Sequence, residues 1–252
     1  MQRPPLCNRG ALRCKGDWYM LTIKGFEKAF EYWQLFLQGV VCTISLSALT
    51  VFFGFILALV IATCRMGRSR ILRAVSTAYV ELFRATPMVV QVFLIFYVVF
   101  DGVKVLPGFK LFGFIRFDRF FPAVVALALN SGAYLSEIIR SGIQSIDGGQ
   151  TEAARSLGLS SWKTMRFIVL PQAIKNILPA IANEFVTIIK ESAICYTIGV
   201  QDIMSAVNAV KGATYRMGEA LIIATVLYFC LTFPTSKIIA HFERKMSRGD
   251  KR

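Results

Sequence analysis

From Tyr32 to Cys64 the chain runs for 33 residues without a charged side chain. A membrane-spanning helix needs roughly 20 consecutive apolar residues. Soluble domains average about 45–50% apolar residues and do not hold charge-free runs of this length. Here the hydrophobic fraction is 55%, with 21 Phe in 252 residues and a mean hydropathy of +0.56. The run and the composition together predict an all-α, polytopic membrane protein.

The net charge of +14 is compatible with nucleic-acid binding until its distribution is considered. Arg65, Arg68, Arg70 and Arg73 form one cluster, and Arg155, Lys163, Arg166 and Lys175 a second. Arg244, Lys245, Arg248, Lys251 and Arg252 form a third. Each lies just beyond an apolar segment, which is the pattern of loops retained on the cytoplasmic side. No basic patch is interleaved with stacking aromatics, so nucleic acid is excluded as a partner. The six cysteines form no CxxC pair and the one histidine is His241, so the sequence offers no metal cluster. Cys42, Cys64, Cys195 and Cys230 lie in or at the ends of spans, where Cys packs as a small apolar residue. Cys7 and Cys14 could pair if the amino terminus faces an oxidising compartment.

Residues 1–33 mix charge with Pro and Gly and show no signal-peptide pattern. They predict an extracytoplasmic or interfacial segment. Residues 1–19 look dispensable to the fold, with Met20 as an alternative start. From Leu21 a short amphipathic helix is expected, ending in Tyr32 and Trp33. Spans follow at Gln34–Thr63, at Ala85–Phe100, at Phe120–Ser136, within Ile177–Val200, and at Ala220–Ile239. Residues 34–240 thus form one transmembrane domain of five spans, and 241–252 a basic cytoplasmic tail. Five spans with a cytoplasmic carboxyl terminus place the amino terminus outside.

The second span is short. Ala85–Phe100 covers only about 24 Å at about 1.5 Å per residue, against a hydrocarbon core of roughly 30 Å. Thr86 is expected as N-cap with Pro87 at the first helical position. The preceding turn must dip toward the bilayer, where Glu81 and Arg84 can pair at i, i+3. Glu137 and Arg140 repeat the spacing after the third span, predicting two ion pairs at similar depth near the inner mouth of a pathway. The alternative is that both are only structural pairs. The fourth segment carries Asn183, Glu184, Lys190 and Glu191. Glu184 and Glu191 share a helix face, so that side must line a cavity or the bundle interior.

Between the third and fourth spans lies a polar loop, about residues 145–179. A loop this long between spans is usually functional rather than a connector. Asp147 can cap a helix with Gln150 at its third position. TEAARSL then forms a short helix stopped by Gly158, suited to a left-handed C′ position. Ser160 or Ser161 can cap a second short helix, WKTMRFIVL, constrained by Pro171 and Pro179. Two helices with a glycine bend would present Glu152, Arg155, Trp162 and Met165 away from the membrane, and Ala153 and Ala154 would permit close approach.

This loop, GQTEAARSLGLSSWKTMRFIVLPQA, resembles the "EAA loop" of permease subunits of binding-protein-dependent ABC importers, in particular their polar-amino-acid branch. LFLQGVVCTISLSALTVFFG, ELFRATPMVVQVFLIFY, ALNSGAYLSEIIRSGIQSI and LPAIANEFVTIIKESA are similar too, so the resemblance covers roughly residues 34–240 in order. It implies the type I ABC importer transmembrane fold in a bacterial cytoplasmic membrane. It also implies a pore of two permease subunits, a cytoplasmic ABC ATPase dimer and an external amino-acid-binding protein. Glu152, Ala153, Ala154 and Gly158 would be the coupling core, with Leu170 and Pro171 closing the loop. One departure is Lys190-Glu191-Ser192-Ala193, where a Lys-Asp-Ser-Ser type run is more usual. The chain has no GxxxxGK[ST] phosphate loop, so no nucleotide cofactor is expected on it, and ATP and Mg would be bound by the partner ATPase.

An amino-acid substrate needs a cation for its carboxylate and an acceptor for its ammonium. Arg84, Arg140 or Lys190 and Glu137, Glu184 or Glu191 are the candidates, with Asn130, Ser131 and Tyr134 adding hydrogen bonds. The competing role for each is holding helices together. An ion-coupled secondary transporter is the second functional class, using intramembrane carboxylates with a coupling ion. A membrane-embedded enzyme is a third, without a nucleophile–base set to support it.

Overall fold

The computed structural model describes residues 21–100 and 106–247. Cys7, Cys14, residues 1–19 and the tail residues Arg248, Lys251 and Arg252 lie outside them. The described chain is helical apart from a two-residue hairpin. In order, α1 is Ile23–Phe30, α2 Trp33–Met66, α3 Arg70–Ala85 and α4 Met88–Phe93, which widens into a π-helical Leu94–Phe100. Strands β1 (Lys110–Leu111) and β2 (Ile115–Arg116) precede α5, Phe117–Gln144. Then come α6 (Gly148–Ser156), α7 (Ser161–Thr164), α8 (Leu170–Glu191), α9 (Ile203–Thr214) and α10 (Met217–Ser247).

Three helices are long and apolar enough to cross a membrane, within Trp33–Met66, Phe117–Gln144 and Met217–Lys245. Two bent pairs raise the number to as many as five. Arg70–Ala85 and Met88–Phe100 meet at 110°, and Ser161–Ile198 and Ile203–Thr214 at 46°.

The centre of the fold is the packing of α2 on α5. Small residues set the distance: a Cβ on Gly54 would sit 3.2 Å from the Ser131 Cβ, and one on Gly132 would sit 2.9 Å from Leu57 Cδ2. Small residues let helix backbones approach where the hydrophobic effect supplies little attraction between spans. One apolar cluster, around Leu46, Val92, Phe120, Leu127 and Ile198, joins this pair to α4 and to the 3-10 turn Ser192–Ile198. A second joins α1, α2, α9 and α10 through Phe36, Ile203, Val207 and Ala224. A third, with Ala62, Leu135, Ile139, Ala173 and Ile177, holds α8 against α2 and α5. The outer surface is apolar as well, with Phe52, Val60, Val98 and Phe229 all exposed.

The break in the second span differs from its expected form. Thr86 and Pro87 are both extended, and α4 starts at Met88. The Thr86 hydroxyl donates back to the Leu82 carbonyl at 2.8 Å, so it serves the end of α3 rather than capping α4. The break is closed by Gln91, whose buried amide donates to the Phe83 carbonyl (2.7 Å), the Thr86 carbonyl (3.0 Å) and the Thr86 hydroxyl (2.9 Å). A helix end leaves carbonyls unpaired, and Gln91 supplies them with a donor from the next element.

The polar loop also departs from expectation in its second half. The helix from Ser161 does not stop near Pro171. It continues through a π-helical Met165–Val169 into α8 as far as Glu191. The Leu170 N–H donates to the Met165 carbonyl, five residues back. That wider turn moves the preceding carbonyls away from the Pro171 ring, the steric conflict that would otherwise break the helix.

Candidate functional site

The loop that the sequence singles out is built as follows. Asp147 caps α6, its carboxylate accepting from the Gly149 N–H at 2.8 Å. Gln150 does not complete a reciprocal cap; its side-chain oxygen accepts from Gln172 at 2.6 Å and ties α6 to the start of α8. The end of α6 is a Schellman turn, with the Leu159 N–H on the Ala154 carbonyl and the Gly158 N–H on the Arg155 carbonyl, 3.1 and 3.0 Å. Gly158 has φ +83°, and open space surrounds the position of a Cβ there. Its requirement for glycine is therefore conformational, not steric. Ser160 caps α7 through the Lys163 N–H.

Glu152 and Ala153 are exposed, whereas Ala154 is buried, so the expected close approach of a partner at both alanines is open only at Ala153. Arg155 folds onto the Leu159 carbonyl at 3.1 Å. Leu157, Trp162 and Phe167 are more than half exposed, and Met165 and Leu170 more than a third. Pro171 is exposed as well. Apolar side chains displayed among charges on a polar loop form a surface suited to a protein partner.

The loop meets the bundle at a charge network. Glu137 accepts from Arg65 at 2.5 Å and from Arg140, and Arg140 also reaches Gln144 Oε1 at 2.5 Å. Asn176 then donates to the Ser145 hydroxyl at 3.0 Å, linking α8 to the end of α5. The Glu137–Arg140 contact is present, but the expected partner contact between Glu81 and Arg84 is not among the ion pairs of the described residues. Arg84 instead lies over the Tyr134 ring, 5.5 Å from its centroid, and Glu81 is exposed. The reason is geometric. Helix α3 packs on α5, and the aromatic face of Tyr134 there competes for the guanidinium.

The polar residues of the spans are distributed unevenly. Asn130 and Ser131 are buried, Ser131 in the α2–α5 seam. Glu184, Glu191 and Glu137 are half-buried, and Glu184 lies beside Ser131. Tyr134 and Lys190 are open. The carboxylates thus line the bundle while Lys190 projects from it. Among the described residues, no group of three His, Cys, Asp or Glu side chains could hold a metal ion.

A protein-family model described as "Binding-protein-dependent transport system inner membrane component" matches residues 50–248. The chain belongs to this family. It is 41% identical over 214 residues to the arginine transport system permease protein ArtQ of Bacillus subtilis, covering 85% of this chain and 93% of that one. It is 35% identical to a putative glutamine transport system permease protein GlnP of Rickettsia conorii, covering 89% and 96%. A crystal structure of an amino acid ABC transporter with histidines superposes with a TM-score of 0.81 at 39% identity, over 90% of this chain and all of that one. The inward-facing MetNI methionine ABC transporter shares the fold at 19% identity and a TM-score of 0.59.

The permease is therefore an inner-membrane component with the type I ABC importer transmembrane fold, and ATP hydrolysis belongs to a separate ATPase subunit. Two residues of its polar framework escaped the sequence reading. Arg65 was one cation of a cluster, and only the packing of α2 on α5 brings it to Glu137. Asp202 is buried at the start of α9, where Oδ1 accepts from the Ser205 N–H at 2.8 Å. An Asp immediately before a helix-compatible run was the available signal for it.

Proposed function

We propose that this permease forms the membrane pathway for a polar amino acid handed over by an external solute-binding protein. The observation that carries the reading is the α6–Gly158–α7 element, a rigidly capped pair of helix ends with exposed Glu152, Trp162 and Leu157. Its position at the Arg-rich end of α2, α3 and α5 supports a cytoplasmic location under the positive-inside bias. Glu152, Ala153 and Gly158 seat in a groove of a cytoplasmic ATPase with the buried Ala154 packed beneath them, and Leu170 and Pro171 carry the motion into α8. The wide turn at Met165–Val169 makes α7 and α8 one lever.

With each bent pair counted as one crossing, the domain 34–240 has five spans, the amino terminus outside and the carboxyl terminus inside. Two permease subunits form the pore. The pathway is lined by Glu184 and Glu191 of α8, with Lys190, Asn130, Ser131, Tyr134 and Glu137 contributing charge and hydrogen bonds. The relatives named above are an arginine transport permease and a putative glutamine transport permease, and an amino acid's ammonium suits half-buried carboxylates. ATP binding shifts the pore between states only through its differential affinity for them.

The test is reconstitution of the permease with its ATPase and binding protein, followed by a screen of amino acids for stimulated ATP hydrolysis. Glu152→Arg is expected to leave the permease in the membrane at normal levels and to remove the stimulation. Transport that persists without the ATPase would overturn the reading.

A further inference from the structure

Helix α1 presents three different faces. At about 100° per residue, Gly25 and Ala29 fall on one, Lys24, Glu27 and Lys28 on the second, and Ile23, Phe26 and Phe30 on the third. The small face is the one turned to the protein. Gly25 and Ala29 are buried, Ala29 among Ile203 and Val207 of α9 and Ala220 of α10. A Cβ on Gly25 would overlap the Glu219 carboxylate. That buried carboxylate accepts from the Thr22 N–H at 3.4 Å and from Arg216 at 3.0 Å, and Arg216 also donates to the Thr22 hydroxyl at 2.8 Å. Thr22 is the N-cap of α1. The start of the helix is therefore fastened to the start of α10, and its rotation about its own axis is fixed.

That rotation turns the apolar face outward. Ile23 is 82% exposed and Phe30 66%, although burying such side chains is worth about 1.5–3 kcal/mol each. The stripe does not end with the helix. It continues along α2 through Trp33, Leu37, Val41 and Ile44, all exposed and spaced by three or four residues, on a helix long and apolar enough to cross a membrane. At about 1.5 Å per residue, the 34 residues of α2 are about 51 Å long. A tilt of about 30° makes them cover about 44 Å, the thickness of a bilayer with both headgroup layers. With Arg65 in one headgroup layer, Trp33 and α1 lie in the other. Tyr32 and Trp33, at the junction of the two helices, are the aromatic types that settle at this level.

We infer that α1 lies in the membrane–water boundary, with Ile23, Phe26 and Phe30 inserted among the lipid acyl chains and Lys24, Glu27 and Lys28 in water. The occupant of the stripe is lipid hydrocarbon, because the stripe is continuous with the apolar outer side of α2. Two lysines and two glutamates, Glu31 included, leave the polar side of α1 without net charge. Apolar burial, not attraction to charged headgroups, therefore holds the helix in place. Through Glu219 it fixes the start of α10 at the bilayer surface. The assignment to the outer leaflet rests on the orientation proposed above; the membrane contact does not.

The experiment introduces a photo-cross-linker, p-benzoylphenylalanine, at one position of α1 at a time. Each variant is studied in the permease–ATPase complex with its binding protein, in vesicles of phosphatidylethanolamine and phosphatidylglycerol. Irradiation with the probe at Ile23 or Phe30 is expected to give phospholipid adducts, read by mass spectrometry of the permease. With the probe at Lys24, Glu27 or Lys28, adducts are expected to stay at the unirradiated background. Phe26 and Trp33 serve as replacement positions if a variant at Ile23 or Phe30 does not copurify with the ATPase. Adducts from the stripe to the binding protein or to a second permease subunit, in place of lipid, would overturn the proposal, because protein then covers it. The absence of lipid adducts at the stripe overturns it too, since α1 then stands in water. Lipid adducts at every position have the same consequence, because the helix is then submerged and not at the boundary.

Discussion

Replacing Glu137 asks how α2 is fastened to α5 at the end that carries the coupling loop. Its carboxylate is shared by two guanidiniums of unequal burial. The Arg65 side chain is 11% exposed and the Arg140 side chain 29%. Arg140 keeps Gln144 Oε1 at 2.5 Å when Glu137 is lost, whereas among the described residues no second carboxylate pairs with Arg65. Removing one partner of a buried pair costs about 3–5 kcal/mol, mostly from the charge left behind. An exposed pair is worth about 0–1 kcal/mol. Partial exposure of Glu137 itself lowers the first figure, so the coupling between Arg65 and Glu137 should be about 2–3 kcal/mol, and that between Arg140 and Glu137 about 1 kcal/mol. The assay is a pair of double-mutant cycles with Arg65→Gln, Arg140→Gln and Glu137→Gln, read by denaturant unfolding of the purified permease in detergent. A coupling of Arg65 to Glu137 below about 0.5 kcal/mol, or one smaller than that of Arg140, would refute the reasoning from burial.

Two further predictions concern packing and the broken span. A Cβ on Gly39 would lie 2.8 Å from both the Asp202 carbonyl oxygen and the Ile203 nitrogen, backbone atoms that cannot turn aside. Gly39→Ala should therefore cost at least about 1–3 kcal/mol, while Gly132→Ala, which meets the movable end of Leu57, should cost less; the ranking is read from the same unfolding curves. Gln91→Leu removes the donor from three acceptors at the Thr86–Pro87 break. It should cost about 1–3 kcal/mol and increase proteolysis between α3 and α4, measured against the parent protein in membranes.

Much of this architecture was written in local patterns. A charge-free run longer than a bilayer requires has to be a spanning helix, because its backbone must find its hydrogen bonds within itself. That is why the span expected at Gln34–Thr63 lies within one residue of the start of α2 and three of its end. Asp147, Gly158 and Ser160 were legible for a related reason, since a helix end imposes its chemistry on the residue that terminates it, and Gly158 does stand at φ +83°. The order of motifs along the chain carried the family.

What the sequence could not decide were the contacts between elements far apart in the chain. Glu81 and Arg84 have the same spacing as Glu137 and Arg140, yet only the second pair closes, because a neighbouring helix offers Arg84 an aromatic ring and offers Glu137 a second arginine. Pro171 reads as a helix stop, but a widened turn just before it lets α7 and α8 continue as one rod. Gln91 gave no local sign that it would close the break before it, and Lys110 and Arg116 gave none that the hairpin ladder would set them face to face. Helix existence and helix ends are decided by short-range backbone chemistry, which the sequence carries on its own. The partners of a charge are decided by which helices pack, and in this permease that was determined by the small residues of α2 and α5 and by the two bends.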